Sequence, residues 1–149
     1  MNKTKLYIDV CCLCRPFDDQ RYLRIKLETN ALFLILEKIK QSYYQFLYSK
    51  VHLLEINAID NRVEKNELLT LLEKIGVQIN PESTVKIKER AEYLCKKGLG
   101  IADAAHLSFA ESSAHYVISC DDLYLKKSNK YSTIPLLNPI EFCIKEDLK

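Results

Sequence analysis

An α/β architecture around a central, largely parallel sheet follows from three features of the sequence. Short β-favouring runs at 6–8, 44–48, 77–79, 116–120 and 134–137 alternate with longer stretches of helical periodicity. Two acids, Asp9 and Asp121, stand at or near the C-terminal ends of two of those runs, where an open parallel sheet places its ligand site. The chain has 149 residues and no internal repeat, low-complexity tract or linker, so residues 1–149 are expected to form one domain. A chain of that size buries roughly 68 to 70 percent of the surface its unfolded form exposes.

The first run, Leu6, Tyr7 and Ile8, meets Asp9, and Val10, Cys11, Cys12 and Leu13 are expected to continue the strand beyond it. An ionised carboxylate inside an apolar run is costly unless it is paired, hydrogen-bonded or bound to a metal. Arg15 to Asp19 reads as a loop, because Pro16 lacks a backbone donor and biases Arg15 away from helix. A helix over 22–40 follows from Leu23, Leu27, Ala31, Leu34 and Ile35, with Leu32, Leu36 and Ile39 widening the apolar stripe.

Ser49 ends the aromatic-rich run at 44–48 and is an N-cap for a helix carrying Val51, Leu54, Glu55, Ala58 and Ile59. A helix over 63–75 stops at Gly76, read as a helix-terminating glycine. Pro81, Glu82 and Ser83 open another, which runs to Lys96 and Lys97 with Gly98 beyond. In IADAAHLSFAES, from Ile101, the small residues permit close helix packing, and Asp103 falls in the first turn, where the helix dipole favours a negative charge. Pro139 starts a terminal helix.

The charge balance, 22 Lys and Arg against 20 Asp and Glu, is too even to imply a nucleic-acid partner by itself. No apolar segment approaches the roughly 20 residues of a membrane span, and no secretory h-region opens the chain, so no membrane partner and a cytoplasmic location are expected. Cysteines 11, 12, 14, 95, 120 and 143 fit neither a CxxC pair nor a disulfide framework and are read as free thiols. On a strand, adjacent Cys11 and Cys12 would point to opposite faces and could not share a zinc ion.

Asp9, Glu55, Asp103 and Asp121 have no obvious buried Lys or Arg partners, since the basic residues mostly occupy loops and solvated helix faces. A divalent cation resolves that conflict if the four converge. Carboxylate oxygens with water suit Mg²⁺ or Mn²⁺, ions that activate water and stabilise charge on phosphoryl oxygens. His106, three residues after Asp103, lies near it on one helix face. Arg15, with Arg21 and Arg24 nearby, is a candidate phosphate contact.

With Asp9 closing the first run, the Ser49 to Glu55 spacing, Asp103 in IADAAHLSFAE and Ser119-Cys120-Asp121 in ISCDD, the chain resembles the PIN domain nucleases, in the expected order and over almost its whole length. The resemblance implies a three-layer α/β/α PIN-like fold, metal-dependent RNA cleavage with Asp9, Glu55, Asp103 and Asp121 as catalytic metal ligands, and kinship with VapC-type toxins of toxin–antitoxin pairs. Ser49, His106, Ser119, Asp122 and Arg15 are the candidate supporting positions, orienting a ligand or touching substrate, with ordinary packing as the alternative for His106 and surface solvation as the default for Arg15. Asp122 either substitutes for Asp121 or caps the following helix.

One departure stands out. Family members often carry Asn two positions after the first Asp, where this chain has Cys11. Partners expected on this reading are RNA, an antitoxin protein and a second copy of the chain. The alternative is a noncatalytic RNA-binding or partner-binding module on the same fold. A phosphohydrolase using Asp9 as a covalent nucleophile is weaker, because Cys11 occupies the place where that chemistry usually wants a second acid.

Overall fold

The structure is a computed structural model that describes residues 3–149. Its strands are β1 (Thr4–Ile8), β2 (Tyr44–Tyr48), β3 (Gly76–Gln78), β4 (Tyr116–Ile118) and β5 (Leu136–Leu137). The helices are α1 (Val10–Leu13), α2 (Leu23–Lys40), α3 (Lys50–Asn57), α4 (Arg62–Ile75), α5 (Thr84–Lys96), α6 (Ile101–Ser113), α7 (Asp122–Ser128) and α8 (Pro139–Lys145). The strands form one sheet in the order β3-β2-β1-β4-β5, with every neighbouring pair parallel. Leu6 of β1 lies opposite Phe46 on one side and Tyr116 on the other.

A central parallel strand is covered on both faces and must be apolar throughout, and Leu6, Tyr7 and Ile8 have no exposed surface. Their side chains alternate between two cores. Leu6 and Ile8 pack with Leu32, Ile35 and Ile39 of α2, Leu68 and Leu72 of α4 and Phe142 of α8. Tyr7 packs with Leu94 of α5, Leu107 and Ala110 of α6 and Leu125 of α7. The result is a three-layer α/β/α arrangement, and no described helix is long and apolar enough to cross a membrane.

The chain steps outward from β1 to β2 and β3, then crosses back to lay β4 against the other side of β1. Strand order therefore reverses between β1 and β4. The C-terminal ends of those two strands flank the crevice where open α/β sheets bind ligands. Asp9 follows one and Ser119 to Asp121 the other.

Several elements depart from their sequence signals. Val10 to Leu13 turn into α1 instead of prolonging β1, because Asp9 acts as an N-cap whose side chain accepts from the backbone N–H of Cys12. The zinc argument that put Cys11 and Cys12 on a strand therefore does not apply, although all six cysteines are free thiols. Strands β4 and β5 are shorter than their apolar runs, and β3 begins at Gly76.

Gly76 is not a left-handed terminator. Its φ of −91° and ψ of 154° are extended. The requirement there is space, since a Cβ would lie 2.7 Å from the Leu72 carbonyl oxygen and 2.8 Å from Cδ1 of Tyr48. In α2 the buried stripe runs through Glu28, Ala31, Leu32, Ile35, Leu36 and Ile39, while Leu23 and Leu27 are exposed. A buried glutamate replaces the expected leucines because Arg15 and Arg24 reach it, Arg15 Nε at 3.0 Å and Arg24 Nε at 3.5 Å.

Candidate acidic site at the ends of β1 and β4

Asp9 is the innermost acid, with 6% of its surface exposed. Its backbone N–H donates to the Ile118 carbonyl at 3.0 Å, tying it to the end of β4. Oδ1 accepts from the Cys12 N–H at 3.0 Å and from the Cys11 thiol at 3.1 Å. Burial pushes the Asp9 carboxyl up, against hydrogen bonds from Ser119, Cys11 and Cys12 and the charge of His106, which pull it down.

Asp121 caps α7, and its Oδ1 accepts from the N–H groups of Leu123 and Tyr124 at 3.1 Å each. The Asp121 N–H donates to Ser119 Oγ at 3.1 Å, so buried Ser119 bears on both Asp9 and Asp121. Asp103 comes from the first turn of α6. Its carboxyl is raised, first by burial and then by Asp121, with Asp9 and Glu55 adding to the effect and His106 opposing it. Asp103 thus lies within the field of all three other acids.

Glu55, on α3, is fixed by His106. His106 Nε2 lies 2.5 Å from Glu55 Oε1, and its Nδ1 lies 2.5 Å from the Tyr7 hydroxyl, which is 2.8 Å from Ser49 Oγ. These contacts form one continuous chain from Ser49 through Tyr7 and His106 to Glu55, in which the tautomer of His106 sets the direction of each proton. Ser49 Oγ in turn accepts from the Val51 N–H at 3.2 Å, as the N-cap of α3.

His52 completes this buried group. Its Nδ1 accepts from the Ser49 N–H at 3.1 Å, and its Nε2 donates to the Ile8 carbonyl at 2.6 Å. Both ring nitrogens are committed in the neutral tautomer, and burial lowers its pKa from 6.5 to about 3.

Among the described residues, neither Lys nor Arg pairs with Asp9, Glu55, Asp103 or Asp121. Nor do three His, Cys, Asp or Glu side chains there form an assembled group that could hold a metal ion. The donor chemistry, carboxylate oxygens with mutual repulsion and His106 on Glu55 as the one basic side chain paired with them among the described residues, suits a hard divalent cation, while ligation would require side-chain adjustment.

The sequence has no match among protein-family models or curated proteins. Solved structures do share the architecture. FitAcB from Neisseria gonorrhoeae matches with a TM-score of 0.54 and 17% identity, covering 90% of this chain and 97% of that one. FitAB bound to an IR36 DNA fragment gives 0.56 and 17%, over 91% and 95%. PAE2754 from Pyrobaculum aerophilum gives 0.53 and 15%, over 96% and 88%. The chain has the PIN-domain fold.

Within this PIN fold, Asp122 and Arg15 are engaged away from the four acids. Asp122 makes a two-pronged pair with Arg24, at 2.7 and 2.6 Å, leaving the cap of α7 to Asp121. Arg15 donates to Glu28 at 3.0 Å and to Asp18 at 2.8 Å. Sequence reasoning passed over Tyr7 and His52. His52 had a signal, since it stands three residues after the Ser49 cap, where a capping-box partner belongs. Tyr7 had none beyond strand alternation.

Proposed function

We propose that this chain is a metal-dependent endoribonuclease of the PIN type, acting as the toxin of a toxin–antitoxin pair whose partner is an antitoxin protein. The observation that carries the catalytic part is that Asp9 and Asp121 follow the ends of the two strands at which the sheet order reverses, with Asp103, raised first by burial and then by Asp121, Asp9 and Glu55, beside them. These four residues would hold Mg²⁺ or Mn²⁺. When bound, the ion supplies Lewis-acid activation of water and neutralises charge on the phosphoryl oxygens.

The chain's own residues orient that site. Ser119 and Cys11 hold Asp9, the first turn of α7 holds Asp121, and His106, braced by Tyr7 and Ser49, holds Glu55. Hydrolysis of an RNA phosphodiester and the toxin role are supported by the resemblance of the acid motifs to PIN nucleases and by the shared fold. A second reading, a noncatalytic RNA-binding module, is favoured by one observation: the acids do not stand as an assembled metal group.

Purified protein incubated with a mixed RNA pool in Mn²⁺ or EDTA, beside Asp9→Asn and Asp103→Asn, tests the proposal. Asparagine keeps the Oδ1 acceptor that caps α1, so the Asp9 variant should fold. The expected outcome is cleavage by the wild type in Mn²⁺ alone and loss of most activity in both variants. Equal cleavage in EDTA, or full metal-dependent activity in both variants, would sink the mechanism. RNA binding with no cleavage would favour the second reading.

A further inference from the structure

Ala105 and Phe109 stand one and two turns along α6 from Ile101, on one line of the helix. With Ile87 and Ala91 of α5 they floor an open groove of about 380 Å³. Phe109 is anchored in the core beneath it, and the two alanines carry no bulk beyond Cβ, which gives the groove its depth.

The walls are of another kind. Val85 and Lys88 of α5 rise on one side and Lys50, the first residue of α3, on the other. Lys50 Nζ lies over the Phe109 ring, 5.8 Å from its centroid, which places one ammonium at the groove's margin. Among the described residues no acid pairs with Lys50 or Lys88, and none lines the groove. Leu54, one turn after Lys50, and Ile101, one turn before Ala105, are 70% and 85% exposed and continue the same helix faces in apolar character.

An apolar floor between two unpaired cations selects its occupant by chemistry. Ile101 to Phe109 spans roughly 12 Å of helix, about two turns, the length over which an amphipathic helix presents its i, i+4 and i+7 anchors. Nucleic acid is a poor match, since a strand asks for a row of cations along its phosphates and the groove offers two beside an apolar floor. A second copy docked through the same face would set lysines against lysines, because a two-fold contact brings the same patch from both sides. A helix with apolar side chains along one stripe and acids beside them satisfies floor and walls together.

We propose that the groove between α3, α5 and α6 is a docking site for an acidic amphipathic helix of a partner protein. The inference rests on the partner part of the proposed function and needs no metal ion.

The full chain is titrated into a labelled synthetic helix with leucine at i, i+3, i+4 and i+7 and glutamate beside them, and into the same helix with lysine for each glutamate. Fluorescence anisotropy reads the binding. The wild type should bind the glutamate helix about tenfold more tightly than the lysine helix. Lys50→Glu combined with Lys88→Glu should reverse that order, and Ala105→Trp, which fills the floor, should weaken both. Lys50 and Lys88 are exposed, so the double variant should melt with the wild type. Equal affinity for the two helices, no binding of either, or an order that the double variant leaves unchanged would overturn the proposal. So would self-association of the wild type that Ala105→Trp abolishes, which makes the occupant a second copy, or binding to phosphatidylserine vesicles that the double variant abolishes, which makes it a membrane surface. RNA cleavage is read separately, so helix binding without cleavage removes the toxin reading and leaves the groove standing.

Discussion

Cys11, at the position where PIN nucleases often carry asparagine, supplies a hydrogen-bond donor to Asp9. The thiol donates to Asp9 at 3.1 Å and stands 3.6 Å from Ser119 Oγ. The residue keeps an exposed surface, and desolvation of its sulfur, then the Asp9 charge, hold the thiol protonated, so it acts as a neutral donor. Removing that donor should let the Asp9 carboxyl, already raised by burial, rise further, and a proton then competes better with a cation. Cys11→Ala should weaken Mn²⁺ binding by about threefold to tenfold near neutral pH, the worth of one hydrogen bond to a charged group. The deficit should shrink as pH rises. Cys11→Asn, which restores a donor, should bind at least as tightly as the wild type. Thermal shifts with Mn²⁺ at pH 6 and pH 8 would check both, and a Cys11→Ala deficit that is absent, or constant with pH, would count against this role.

At the scale of elements, the junction of α4 with β3 shows how little backbone room the sheet edge leaves. The Gly76 N–H closes α4 by donating to the Leu72 carbonyl, and the same residue pairs with Phe46 of β2. A methyl at Gly76 would press on that carbonyl and on the Tyr48 ring at once. Gly76→Ala should therefore cost about 1–3 kcal/mol, as overpacking against backbone does. Urea denaturation would measure it, and a variant as stable as the wild type would show that β3 shifts freely. Gly98 is the contrasting case: its φ is +108° with open space around it, so its need is conformational and not steric. Both glycines end helical segments in the sequence, and nothing local distinguishes the two reasons.

For the molecule as a whole, the buried His52 and the raised acids give opposite pH dependences. The folded-state pKa of His52, about 3, is below its unfolded value of 6.5. Between those values the unfolded chain binds a proton that the folded chain refuses, so stability falls as pH drops below 6.5, at up to about 1.4 kcal/mol per pH unit. Asp9 and Asp103 are raised, so the folded state holds protons that the unfolded state has released, and acidification through that range is favourable. The metal-free protein should thus lose stability from pH 6.5 downward, with the slope blunted as the acids protonate. His52→Gln keeps a capping-box side chain at that position while giving up the proton site and the bond to Ile8. It should be about 1–3 kcal/mol less stable at pH 7, with a flatter profile between pH 6.5 and 5. Urea midpoints across that range decide it, and an unchanged slope would rule out His52 as the source.

The sequence by itself determined the elements whose causes are local. The α2 helix, the Ser49 cap, the helix boundary at Gly98, Asp103 in the first turn of α6 and Pro139 opening α8 all follow from interactions within about one turn of chain. It also marked four acids as needing a reason to be where they are. Local signals misled where two local readings competed, as at Val10 to Leu13, where a strand-like run gave way to a helix capped by Asp9. Only the tertiary structure decided which groups meet. Strand order sets β1 between β2 and β4, bringing Tyr7 to His106 across 99 positions and Arg24 to Asp122 across 98. Periodicity and capping energies extend over a few residues and carry no record of strand order, so the Tyr7–His106–Glu55 chain, the pairing that occupies Arg15 and Arg24, and the groove between α3, α5 and α6 became visible only when the sheet closed.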